Sequence, residues 1–124
     1  MSLRSPLGRV RGLGSAKQGV AHWWSQRITA IALAPLSFWF LWVLVVNAGA
    51  SHEEMRSLIA QPLNAVLLIS FLYCAFWHGK LGLQVIIEDY VHHRPTEITL
   101  LLVVKFSAFL SAAAGILAVL RIAL

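Results

Sequence analysis

Between residues 28 and 51 the chain reads ITAIALAPLSFWFLWVLVVNAGAS, without one charged side chain. Two further runs resemble it. Residues 57–79 carry no charge when His78 is neutral, and residues 98–120 are interrupted only by Lys105. Each is near the ~20 residues that cross a hydrocarbon core of ~30 Å. A helix is the one open-ended structure that satisfies its own backbone there. A lone lysine in such a run can snorkel or find a partner. The alternative, buried helices of a soluble bundle, fails on composition. Of 124 residues, 59% are hydrophobic and 12% charged, and small soluble folds leave too much surface in water to hide that share. The expectation is an all-α integral membrane protein with three transmembrane helices, spans about 28–49, 60–87 and 97–121. A basic arm and interfacial lead-in, 1–27, precedes a single membrane domain, 28–124.

Charge distribution orients these spans and argues against a nucleic-acid partner. Arg4, Arg9, Arg11, Lys17 and Arg27 precede the first span with no acidic residue among them, whereas the first loop holds Glu53 and Glu54 against Arg56. Excess cationic charge stays on the cytoplasmic side. The N-terminus and the second loop, with Arg94, are therefore expected on the cytoplasmic (or matrix) face, and the C-terminus opposite. Arg121 can snorkel to the far interface. The arm RSPLGRVRGLGSAKQG is Arg-, Ser- and Gly-rich like an organellar transit peptide. Its proline and glycines spoil an amphipathic helix, so it is read as a retained arm that marks topology and meets anionic lipid. A bacterial cytoplasmic membrane is accordingly preferred over the mitochondrial inner membrane.

Local signals place the helix ends. Trp23 and Trp24 beside Arg27 are interfacial-belt chemistry. Pro35 predicts a kink, tolerated because neighbouring helices can take up the freed carbonyl. Asn47, Gly49 and Ser51 end the first span. Pro62 suits the first turn of the second, and Thr96, after Pro95, is the expected N-cap of the third. Ser107, Ser111 and Gly115 recur every fourth residue, a spacing that lets backbones approach closely in lipid. Cys74 is the lone cysteine, which excludes an internal disulfide and reads as a small packing residue.

The chemistry concentrates in FWHGKLGLQVIIEDYVHHRP, residues 76–95. At about 100° per residue, with His78 at zero, Gly82 falls near about 40°, Val85 near about −20° and Asp89 near about 20°. Cys74 and Ser70 continue that stripe, while Lys80 lies on the opposite side. A histidine inside a span needs a partner, and a hydrogen bond between helices is the plainest one. A histidine with a glycine one turn away also suits an axial ligand beside a flat macrocycle. Asp89 and Tyr90 lie about 16 Å further along, where a phenol and a carboxylate can bind a quinone head group and handle its protons. Burial of Asp89 beside apolar side chains would favour its neutral, proton-carrying form. His92 and His93 read as solvated or as contacts to another subunit.

The pattern His-x(3)-Gly-x(6)-Asp-Tyr (His78, Gly82, Asp89, Tyr90), with His-x(4)-Arg (His22, Arg27) before the first span, resembles the hydrophobic membrane-anchor subunit of succinate dehydrogenase, respiratory complex II. The resemblance covers the basic arm and the three-span layout as well. It implies that His78 is one axial ligand of a b-type haem whose second histidine comes from the partner membrane subunit, with Gly82 allowing close packing to the haem. It implies that Tyr90 hydrogen-bonds ubiquinone and that Asp89 supports it or relays protons. Arg27 and His22 would lie near haem propionates or lipid phosphates. The implied partners are a second membrane-anchor subunit, an iron–sulfur subunit and a flavoprotein subunit, the chain being non-catalytic alone. Lys80 and Lys105 match no motif of the family.

Three other readings compete. A cofactor-free structural three-helix subunit explains the small-residue stripe and the arm but leaves His78 and Asp89 on one stripe without a reason. A fumarate reductase anchor would run the same chemistry in reverse. A transporter component would use Lys80, His78 and Lys105 as a polar path, against which stand Lys80 facing away from His78 and the lack of repeat symmetry.

Overall fold

The computed structural model describes Leu7 and residues 19–124. The arm cations Arg4, Arg9, Arg11 and Lys17 lie outside the described residues. Among the described residues four helices follow in order: α1, Gly19–Val46; α2, His52–Ala60; α3, Pro62–Tyr90; and α4, Arg94–Ala123. Helices α1, α3 and α4 are each long and apolar enough to cross a membrane. At 28, 29 and 30 residues they are about 42–45 Å long, longer than the hydrocarbon core they must cross. Each therefore projects beyond the apolar layer.

The segment read above as the first loop contains the short helix α2. Ser51 is its N-cap, accepting a hydrogen bond from the Glu54 N–H at 3.3 Å, while the Ser51 N–H donates to Glu54 Oε2 at 2.7 Å. This reciprocal pair satisfies two end groups that a helix start otherwise leaves bare. The Glu53–Glu54 doublet, read above only as loop charge, thus occupies the first turn of a helix, where negative charge complements the dipole. A single residue, Gln61, separates α2 from α3. It is extended, φ −63° and ψ 129°, because Pro62 disfavours helical geometry in the residue before it. Asn64 Nδ2 binds the corner by donating to the Leu58 carbonyl at 2.9 Å.

Thr96 is not the cap of the third span. His93 is, in extended geometry, and α4 starts at Arg94 with Pro95 inside its first turn. The missing donor of Pro95 costs nothing there, since first-turn N–H groups have no intrahelical partner. Thr96 is left one turn in, its hydroxyl 2.8 Å from His93 Nδ1. Helix α1 runs unbroken across Pro35.

Helix α3 is the centre of the arrangement. Helices α1 and α4 each pack along it, α2 rests against α3 and α4, and among the described residues α1 and α4 do not meet. Phe40 of α1 stacks on Phe71 of α3, ring centroids 4.6 Å apart. On the other side, a Cβ at Gly115 would stand 3.1 Å from Leu72 Cδ1. The small-residue stripe of α4 therefore faces α3, and Ser107 and Ser111 line a gap beside Gly79. Only Val43, Ala65, Leu81, Ile87 and Val119 are buried apolar residues among those described. In lipid, exposed Leu, Phe and Trp carry no hydrophobic penalty, so packing of small residues takes the place of a large core.

Candidate functional site

The polar stripe of α3 meets α1 at His78. Thr29, the one buried polar residue among those described, donates its hydroxyl proton to the Ser25 carbonyl at 2.7 Å. With that proton directed at the carbonyl, the hydroxyl oxygen, 3.1 Å from His78 Nδ1, can accept from the Nδ1–H tautomer. With Nδ1 protonated, the Nε2 of a neutral imidazole carries the lone pair. The Gln26 amide nitrogen lies 3.4 Å from that Nε2, at the long limit of a hydrogen bond. A histidine held by one nitrogen with the other left basic is the usual arrangement of a metal-ligating imidazole.

His78 opens onto a cleft of about 590 Å³ between the start of α1 and the last third of α3. His22, Gln26 and Arg27 line one wall, and His78, Gly82 and Val85 line the other. Four of the residues singled out from sequence thus share one space: His22, Arg27, His78 and Gly82. Gly82 lines the floor; a Cβ there would meet only Gln26 Nε2 at 3.7 Å, an ordinary contact, so within this chain a small side chain would also fit. Arg27 lies over the Trp23 ring, 5.3 Å from its centroid, which fixes the guanidinium at the cleft's mouth. His22 Nε2 and Gln26 Oε1 are buried without a hydrogen-bond partner. Such orphaned groups are costly, and both border the cleft.

The donor set fits one particular kind of metal group. Among the described residues no three His, Cys, Asp or Glu side chains converge, so this chain alone builds no ordinary metal cage. A haem brings its own four equatorial nitrogens and asks the protein only for axial ligands. One basic imidazole nitrogen, an open glycine floor, unpaired polar atoms and a cation at the rim suit that need.

Asp89 and Tyr90 stand apart from this cleft. They follow His78 on the same helix by about 16 Å, and both are exposed, Tyr90 at 78%. The expected burial of Asp89 is therefore not supplied by this chain. Neighbouring Glu88 accepts from Gln84 Nε2 at 2.8 Å, and the single salt bridge among the described residues joins Arg94 to Glu97. Among the described residues no cation lies within salt-bridge distance of Asp89. Sequence reading missed Thr29 and Gln26, the groups that orient His78. The available signal was their placement one turn apart at the head of an otherwise apolar span.

The sequence profile of the family described as succinate dehydrogenase/fumarate reductase transmembrane subunit matches residues 1–114. The chain belongs to this family. Similar proteins include the succinate dehydrogenase hydrophobic membrane anchor subunit of Rickettsia bellii, 34% identical over 94% of this chain and 93% of that one. The protein of the same name from Rickettsia typhi is 32% identical over the same shares, 94% and 93%. That of Paracoccus denitrificans is 28% identical over 89% of this chain and 85% of its own length. Three membrane-length helices and these bacterial relatives fit a multi-pass protein of a bacterial inner membrane. The expected all-α, three-span fold class and the resemblance to the anchor subunit are both borne out.

Proposed function

We propose that this chain is the hydrophobic membrane anchor subunit of a succinate:quinone oxidoreductase in a bacterial inner membrane, with its N-terminus on the cytoplasmic face. It docks a flavoprotein and an iron–sulfur subunit beside a second membrane subunit. The names of the relatives support the anchor role. The observation that carries the finer reading is the His78–Thr29 pair, which leaves one imidazole nitrogen basic and facing a cleft.

In this reading His78 Nε2 would hold a b-type haem, together with a residue of the partner membrane subunit. When bound, the haem adds a one-electron redox centre within the membrane. Thr29 holds the ring's tautomer and direction. Gln26 Oε1 and His22 Nε2, buried without partners, are the polar atoms free to bind at the rim. Arg27 and His22 hold propionates or lipid phosphate through charge-assisted bonds. Gly82 lets the macrocycle lie close to the α3 backbone.

Ubiquinone is the substrate at the other end of the stripe. Tyr90 donates its phenolic O–H to a quinone carbonyl. Asp89, one residue before it and open to water, passes on the protons that quinone reduction consumes. Both residues end α3 beside the surface that receives the soluble subunits, which would bury Asp89 where this chain alone does not.

The test is a reduced-minus-oxidised spectrum of the purified membrane complex containing this chain. A b-type signal lost on His78→Ala supports the haem reading. A wild-type complex that lacks any b-type band would overturn the haem reading and favour a cofactor-free scaffold.

A further inference from the structure

Lys80 and Lys105 have no place in the site above, and they meet in space. Both line one elongated groove between α3 and α4. Its upper part, about 300 Å³, includes Gln84. Its lower part, about 450 Å³, is walled by Phe76, Trp77, Phe106 and Phe109 and floored by Ala112. The lysines are the only residues shared by the two parts, so a pair of cations forms a collar where a polar mouth passes into an apolar trough.

Their depth follows from helix length. About 20 residues cross the hydrocarbon. Counted from Leu63, exposed at the far end of α3, the crossing ends near Leu83. Counted back from Arg121 on α4, it ends near Leu101. Lys80 lies within one turn of the first boundary and Lys105 one turn inside the second. The Cα–Cβ bond of Lys105 tilts toward the start of α4 and so toward that same boundary. The Lys80 ammonium sits 4.0 Å from the Trp77 ring centroid, fixed by a cation–π contact over the trough. By this count Lys80 falls within a turn of the interface and Lys105 one turn inside it, and both stems can snorkel toward lipid phosphate.

Neither lysine has a counter-ion. The chain holds five acidic residues. Glu53 and Glu54 lie at the opposite end, Glu97 pairs with Arg94 and Glu88 takes the Gln84 amide. Asp89 lies beyond Glu88, more than two turns from Lys80. Two lysines on one groove with no acidic partner offer an anion a site that their own chain does not fill. The trough beneath runs from Lys105 to Ile116, about 16 Å along α4, and is lined by rings and alanines that suit an alkyl chain.

We infer that this groove binds one anionic phospholipid, its phosphate bridging Lys80 and Lys105 and an acyl chain lying along the aromatic trough. The charge pattern selects lipid carrying net negative charge over zwitterionic lipid. The inference does not rest on the haem or quinone reading.

Native mass spectrometry of the purified, delipidated complex tests it by titration with phosphatidylglycerol or phosphatidylcholine. Retention of phosphatidylglycerol should exceed that of phosphatidylcholine by about tenfold. Lys80→Gln with Lys105→Gln should abolish the difference, whereas Lys80→Arg with Lys105→Arg should keep most of it. Equal retention of the two lipids, or a glutamine variant that behaves as wild type, overturns the inference. Should the glutamine variant fail to assemble, a benzophenone amino acid in place of Phe109 reads the trough directly. A lipid adduct supports the inference; an adduct to another subunit shows that protein covers the groove and overturns it.

Discussion

His78 Nδ1 lies 3.1 Å from Thr29 Oγ1, a hydroxyl whose own proton is committed to the Ser25 carbonyl. The α1 backbone thus dictates which nitrogen of an α3 histidine stays basic. Thr29→Val keeps the shape and removes the acceptor. It should weaken haem retention about 10- to 100-fold and shift the absorption bands of what remains, while Thr29→Ser should restore both. A complex with wild-type haem content and spectrum in Thr29→Val would show that Thr29 does not orient the ligand.

Asp89 stands exposed at the mouth of the stripe, without a salt bridge among the described residues. Asp89→Asn should lower quinone reductase turnover by about 10²-fold or more and flatten its pH dependence, with succinate oxidation by a soluble dye acceptor left intact. Tyr90→Phe should raise the KM for quinone more than it lowers kcat. Unchanged turnover and pH profile in Asp89→Asn would remove that residue from the proton path.

Gly115 tests the packing of α3 on α4. A Cβ there meets Leu72 Cδ1 at 3.1 Å, and Leu72 can give way a little, so Gly115→Ala should be nearly neutral. Gly115→Ile cannot be absorbed in the same way. It should cost about 1–3 kcal/mol, seen as a lower midpoint of thermal unfolding of the detergent-solubilised complex.

The α2 cap makes a pH prediction outside the membrane. The backbone N–H of Ser51, and then its hydroxyl, hold the Glu54 carboxyl below the ordinary glutamate value. A depressed folded-state value contributes stability above the ordinary value, and that contribution is lost as pH falls through the lowered one. Amide exchange in residues 52–55 should therefore accelerate as pH drops below about 4, once intrinsic exchange rates are divided out. Glu54→Gln should show no such step, and Ser51→Ala should fray the helix at all pH values.

How much of this was legible in the chain differs by element. The spans were, because a run such as residues 28–51 has no soluble alternative and lipid permits only a helix. The stripe from His78 to Asp89 was legible too, since helical periodicity alone orders residues on one helix. Helix α2 escaped because its signal is the Ser51–Glu54 reciprocal cap, easily read as loop charge in a segment of nine residues. Thr96 was misjudged because a capping residue after a proline looks like a start, although proline itself belongs inside the first turn.

The amino-acid sequence by itself determined the membrane class, the number of crossings and the order of polar groups along α3, because hydropathy and periodicity are properties of single segments. Only the tertiary structure decided which groups meet. It set Thr29 and Gln26 against His78, gathered His22 and Arg27 at the same cleft, left Asp89 outside it, and brought Lys80 and Lys105 to one groove. The physical reason is that relations between helices depend on their relative register and rotation, set here by contacts as local as Phe40 on Phe71 and Leu72 on Gly115.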